Sequence, residues 1–128
     1  MARALILCVG IALVAAACGP PGPKTYSEAK SRACVVGEHL HVGLPPASDF
    51  IASTALGGAY RVKFHDNAVT VSFGSDPTNA SGLDAGYRSV HAKNVGIDDV
   101  LRTQGSAVML WHGHPSDGEL ALIQDCLK

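Results

Sequence analysis

The chain has 128 residues, 47% of them apolar, and its 10 basic and 11 acidic residues leave a formal net charge of −1. That length accommodates one compact domain and argues against a second. Lysine and arginine are scattered, so the chain lacks the clustered positive charge that phosphate backbones or anionic lipid surfaces require, and nucleic acid is not an expected partner.

The N-terminus carries its own signal. After Arg3 the run ALILCVGIALVAAA has no charged residue. It is shorter than the roughly 20 apolar residues a spanning helix needs, so residues 1–17 read as a cleaved export signal. The run closes on Ala15, Ala16 and Ala17, directly before Cys18. Small residues ending at a cysteine resemble the lipobox of bacterial lipoproteins, with Ala15 standing where that motif most often has Leu. The resemblance implies that the signal is cut before Cys18 and that Cys18 receives the lipid. It also implies a place in the bacterial cell envelope. Gly19, rather than Asp, after the cysteine implies the outer membrane, facing the periplasm, if the host is Gram-negative. The stretch GPPGPK that follows is rich in Gly and Pro and suits an extended tether. Residues 18–25 are therefore assigned to the lipidated cysteine and its tether, and residues 26–128 to a small folded domain. The expected partner is the membrane, through acyl chains worth about 0.8 kcal/mol per buried CH₂.

Of the four cysteines, Cys8 leaves with the signal and Cys18 carries the lipid, which leaves Cys34 and Cys126. Two cysteines near opposite ends of an exported domain are expected to form one disulfide. Their spacing is nothing like Cys-x-x-Cys, so a redox role is not expected.

Along the domain, residues 26–36 predict a helix in their first part, with Cys34 at or just past its end. Residues 38–44 alternate polar and apolar side chains and predict a half-buried strand, stopped by Pro45 and Pro46. Ser48 is placed to cap a short helix through Leu56, which Gly57 and Gly58 end. The segments YRVKF and AVTVSF both alternate and flank His65, Asp66 and Asn67, which predicts a hairpin over 60–73. Residues 74–86 read as a loop, and 87–95 as a weak strand or further loop. Residues 97–104 predict a short helix with Asp98 and Asp99 in its first turn. The apolar run 106–113 predicts a central strand covered on both faces. Ser116 and Glu119 form a capping box that opens a last helix through Leu127.

These elements predict an α+β domain. Their order suggests a ferredoxin-like antiparallel sheet with extra N- and C-terminal helices, first and last strands adjacent, and one disulfide.

Histidine supplies the one chemical suggestion. The pairs His39/His41 and His112/His114 are each two residues apart, a spacing that puts both side chains on one face of a strand. On adjacent strands the four would suit zinc or copper. The string WHGHPSDGE also resembles the His-x-His-Pro of JAMM-type zinc hydrolases, with Ser116 and Glu119 standing for the Ser and Asp of that family. The resemblance covers fewer than ten residues, the loop between Pro and Ser is missing, and the capping box already accounts for Glu119. No nucleophile elbow and no phosphate-binding glycine loop is present. The sequence therefore favours a non-enzymatic envelope lipoprotein with no resident cofactor, which binds an envelope protein partner or scaffolds. An immunity or inhibitor role is a special case of that reading. A metal-binding lipoprotein using the four histidines is the alternative, and a metal-dependent hydrolase at the same residues ranks behind it. Trp111, Tyr60 and Tyr87 are candidate contacts if they lie on the surface.

Overall fold

A computed structural model describes residues 24–90 and 96–128. The chain is α+β, with one five-stranded antiparallel sheet in the order β1-β2-β3-β5-β4. Its elements are α1 (Glu28–Gly37), β1 (His41–Gly43), α2 (Phe50–Ser53), β2 (Ala59–Lys63), β3 (Ala68–Phe73), α3 (Pro77–Val90), α4 (Ile97–Val100), β4 (Leu101–Gln104), β5 (Ala107–Trp111) and α5 (Asp117–Asp125).

The hairpin expected over 60–73 is β2–β3, with Val62 opposite Val69 and Arg61 opposite Thr70. All six residues of β3 are buried. The expected central strand is β5, paired antiparallel to β3 from Val69–Trp111 to Phe73–Ala107. The side chains of these two strands go alternately to opposite faces, as the pleat requires. On one face Val69, Val71, Phe73, Met109 and Trp111 pack with Val35 of α1 and with Ile123, Cys126 and Leu127 around α5. On the other, Val108 and Leu110 pack with Ala80, Leu83 and Tyr87 of α3 and with Leu101. Each Val or Ile fully buried in these layers contributes roughly 1.5–3 kcal/mol.

The ferredoxin-like strand order is not what forms. There the first and last strands were to be neighbours, whereas β1 lies at one edge beside β2 and β5 sits between β3 and β4. Two local misreadings account for the difference. Residues 101–104 form a strand rather than the end of a helix, because Leu101 to Gln104 pair with Leu110 to Ala107 of β5. The turn between them is Gly105, at φ +54°, where a Cβ would also collide with the Lys24 carbonyl. Only glycine fits both demands. Residues 77–90, expected to be loop and weak strand, form α3. Asp76 starts it by accepting from the Asn79 amide at 2.7 Å, Pro77 takes the first helical position, and Ala80, Leu83 and Tyr87 make its buried stripe. Gly86 lets α2 approach, since a Cβ there would lie 3.0 Å from Ile51 Cδ1.

Several boundaries also move, and the strand expected over 38–44 is limited to His41–Gly43. Helix α1 runs on through Cys34 to Gly37. Asp49, not Ser48, caps α2 through a 2.9 Å bond from the Ala52 amide, and α2 stops at Ser53. The last helix opens on the expected capping box at Ser116 and Glu119 and ends at Asp125.

Cys34 and Cys126 are joined, with Cα atoms 5.3 Å apart. The expected bridge is present, but not because first and last strands adjoin. It forms because α1 and the end of α5 cover the same face of the sheet. The domain ends are tied there as well: Ser27 N donates to Lys128 O at 2.6 Å and Ser106 N to Lys24 O at 2.8 Å.

The bridge closes a loop of sequence separation 92, for which chain entropy alone gives about 4–5 kcal/mol. Replacing Cys34 and Cys126 together by Ser should lower stability by about 2–5 kcal/mol, read from the urea midpoint. Dithiothreitol should shift the parent chain equally and the double variant not at all. Equal midpoints for parent and variant would show that the bridge adds nothing.

Candidate functional site

The face of the sheet that carries α3 is only partly covered. Helices α2, α3 and α4 sit over β3, β5 and β4, while the β2 side is open. Between them lies a cleft of about 480 Å³, floored by Arg61, Thr70 and Leu110 and walled by Ile51, Ile97 and Val100. That volume falls in the range of about 300–1,000 Å³ typical of small-ligand sites. A shallower hollow of about 280 Å³ adjoins it, lined by Lys63 and Asn67 and sharing Arg61 and His112 with the cleft.

The floor follows from the strand registers. Tyr60 and Val62 point to the disulfide-bearing face, so Arg61 between them projects to the cleft side. Thr70 lies directly opposite Arg61 across the β2–β3 pair, which puts the two side chains next to each other on that face. Thr70 is buried at 2% exposure.

One wall is set by Asp49. Its carboxylate accepts from the Ala52 amide at 2.9 Å and from the Tyr87 hydroxyl at 3.0 Å. Since the Tyr87 proton is spent on Asp49, the 3.2 Å contact between Tyr87 and Ser72 has the Ser72 hydroxyl as donor. Burial raises the Tyr87 pKa well above its ordinary value, Asp49 adding to the rise and the Ser72 bond opposing it. The phenol thus stays neutral and keeps its proton for the bond. This chain joins α2, α3 and β3 and holds the cleft open between them.

The four histidines are not brought together. His39 is not on a strand: it adopts left-handed backbone at φ 60° in the turn after α1, a conformation that polar residues such as His tolerate at a helix end. That removes the shared face expected for His39 and His41. His41 opens β1 opposite Lys63, Lys63 lies opposite Ala68, and the His112 amide donates to Ala68 O at 2.8 Å. His41 and His112 thus occupy one row of the sheet but stand three strand spacings apart, roughly 14 Å. His114 pairs instead with Asp99, Nδ1 to Oδ1 at 2.7 Å. Among the described residues no three His, Cys, Asp or Glu side chains gather around one point. His112 alone of the four lines the cleft.

Tyr60, Tyr87 and Trp111 are buried, so none offers the surface contact considered for it. Cys18 lies outside the described residues. Arg61, Thr70 and Asp49 were not singled out by the sequence. Their only signal is a charged or polar residue inside an alternating strand or before a short helix, which reads as solvated surface. No helix among the described residues is long and apolar enough to cross a membrane. Comparison with protein families, with curated proteins and with solved structures gave no match.

Asp49→Ala removes both the α2 cap and the acceptor for a buried hydroxyl, and should cost about 2 kcal/mol. In a Tyr87→Phe background the same change should cost only about 1 kcal/mol, because the stranded hydroxyl is gone. Urea melts of the four chains measure the difference. Full additivity would mean that the Asp49–Tyr87 bond does not support the wall.

Proposed function

We propose that this chain is an exported lipoprotein, held on the envelope membrane through Cys18, whose domain is a non-enzymatic module that binds a small ligand in the cleft above β2, β3 and β5. The leader run and the small residues before Cys18 support the anchor. The cleft, with its apolar walls and a few polar groups on the floor, carries the binding role.

The geometry of the domain suits an anchored receptor. Lys24 is bonded at the β4–β5 turn, through Ser106, whereas the cleft lies toward the other end of β5, at Leu110 and His112. The five residues between Cys18 and Lys24 let the two ends stand at most about 20 Å apart. Anchored there, the domain would stand with its β4–β5 turn toward the bilayer and its cleft toward the compartment, where a ligand arrives by diffusion.

Two measurements test this. Cells given an alkyne analogue of palmitate should label the parent chain and not Cys18→Ser, whose leader should stay uncut. The mature chain, residues 18–128 with Cys18→Ser, should bind the neutral dye Nile red with a fluorescence rise. Phe50→Ser with Val90→Ser should weaken that binding several-fold, since both are exposed residues at the cleft. An unlabelled parent chain would overturn the anchor. Dye binding that ignores the two substitutions would overturn the cleft as its site.

A further inference from the structure

Arg61 differs from the other arginines of the described domain. Arg32 bonds Glu28, Arg88 bridges Asp84 and Asp98, and Arg102 donates to the carbonyls of Asp98 and Leu101. Arg61, half-buried on the cleft floor, has no ion pair or hydrogen-bond acceptor among the described residues. Withdrawing a cation from water costs free energy that a partner normally offsets, and the described residues supply none.

Its neighbour adds a second donor. Thr70 is 2% exposed, lies opposite Arg61 in the β2–β3 register and lines the same cleft, so its hydroxyl lies on the floor beside the guanidinium. A guanidinium without an acceptor among the described residues and a hydroxyl beside it are two donors on one floor. The guanidinium fork matches a carboxylate in bidentate geometry, and a hydroxyl beside it can donate to the same group. A second cation stands nearby: Lys63 borders Arg61 in the adjoining hollow, whose one carboxylate among the described residues, Asp66, lies against His65. The cleft's one carboxylate, Asp49, is already engaged by Ala52 and Tyr87. Next to this polar seat lie Leu110, Val100 and Ile97, which offer nothing to a charge and much to a hydrocarbon.

We propose that the cleft takes a small amphiphilic carboxylate, its head seated on Arg61 and Thr70 and its apolar body laid along Leu110, Val100 and Ile97. The proposal rests on the binding-cleft reading above and adds the chemical class of the ligand. The head is recognised by charge and geometry. The body is recognised by area alone, so chain length sets affinity while the carboxylate sets orientation.

The test uses the mature chain, residues 18–128 with Cys18→Ser, free of leader, lipid and detergent, with dodecanoate and 1-dodecanol as calorimetric probes of equal chain length. Dodecanoate should bind at least tenfold tighter than the alcohol, the ratio expected for a charge-assisted hydrogen-bonded pair. Arg61→Gln should remove most of that advantage and leave alcohol binding unchanged, Arg61→Lys should restore part of it, and Thr70→Val should reduce it a few-fold. A melt of each variant establishes that it is folded, and Arg61→Gln breaks no side-chain bond among the described residues. Equal affinity for the two probes, or an Arg61→Gln chain that still prefers dodecanoate, would overturn the proposal while Nile red binding keeps the cleft itself intact. A folded chain that binds neither probe nor the dye would overturn both.

Discussion

The pairing of β3 with β5 holds the domain together. It joins residues some forty positions apart, Val69 to Trp111 at one end and Phe73 to Ala107 at the other. It also supplies inner residues to both layers at once. Val69, Val71, Met109 and Trp111 go to the layer of α1 and α5, and Val108 and Leu110 go to the layer of α3. Without this ladder neither helix layer has a floor. The cleft depends on it too, because Thr70 and Leu110 face each other across it. Asn67 extends the tie beyond the strand ends: its side-chain oxygen accepts from the Gly113 amide at 3.0 Å, which sets the loop that carries His112.

The parts legible in the sequence are those whose information is local. The β2–β3 hairpin announces itself through alternation around a short polar turn, and α5 through Ser116 and Glu119, whose reciprocal bonds involve no other element. The central strand shows in an unbroken apolar run, because a strand buried on both faces has no polar side. Helix α3 escaped for the opposite reason. Asn79, Ser81, Gly82 and Gly86 weaken its local preference, and only Ala80, Leu83 and Tyr87 reveal a face. Its packing against β5 and α2 overrides propensity. Strand β4 was misread because Asp98 and Asp99 do begin a helix, but α4 lasts only to Val100. Past it, the backbone groups of Leu101 and its neighbours gain more from pairing with β5 than from another turn.

The candidate site shows the same limit more sharply. Histidines stand out in a sequence, and His-x-His spacing has a meaning on a strand, but that meaning lapses once His39 falls in a helix-ending turn and His114 turns to Asp99. Arg61 stands out in no way: a cation alternating with Tyr60 and Val62 looks like the wet side of a hairpin. It becomes a floor residue because α2, α3 and α4, none adjacent to it in sequence, build walls around that part of the sheet. A site made by layering is invisible until the layers are placed. What marks it then is a missing partner rather than a motif.

The two layers are also held by different physics, and the cleft lies in the weaker one. The α1–α5 layer is sealed by the disulfide and by side chains fully withdrawn from water. The α2–α4 layer has a smaller buried cluster, the Asp49–Tyr87–Ser72 chain, and exposed pairs such as Arg88 with Asp84 and His114 with Asp99. Exposed pairs of that kind contribute about 0–1 kcal/mol each, several-fold less than the bridge on the far side. Helix α4 has four residues and no side-chain cap, and its Ile97 and Val100 are only partly buried. A short uncapped helix with no fully buried residue has the features of low local stability, which the sheet beneath it lacks. An apolar ligand body lying against that wall would replace water there with the contacts the short helix lacks. Filling the cleft and ordering its wall are then one event, governed by the same apolar surface.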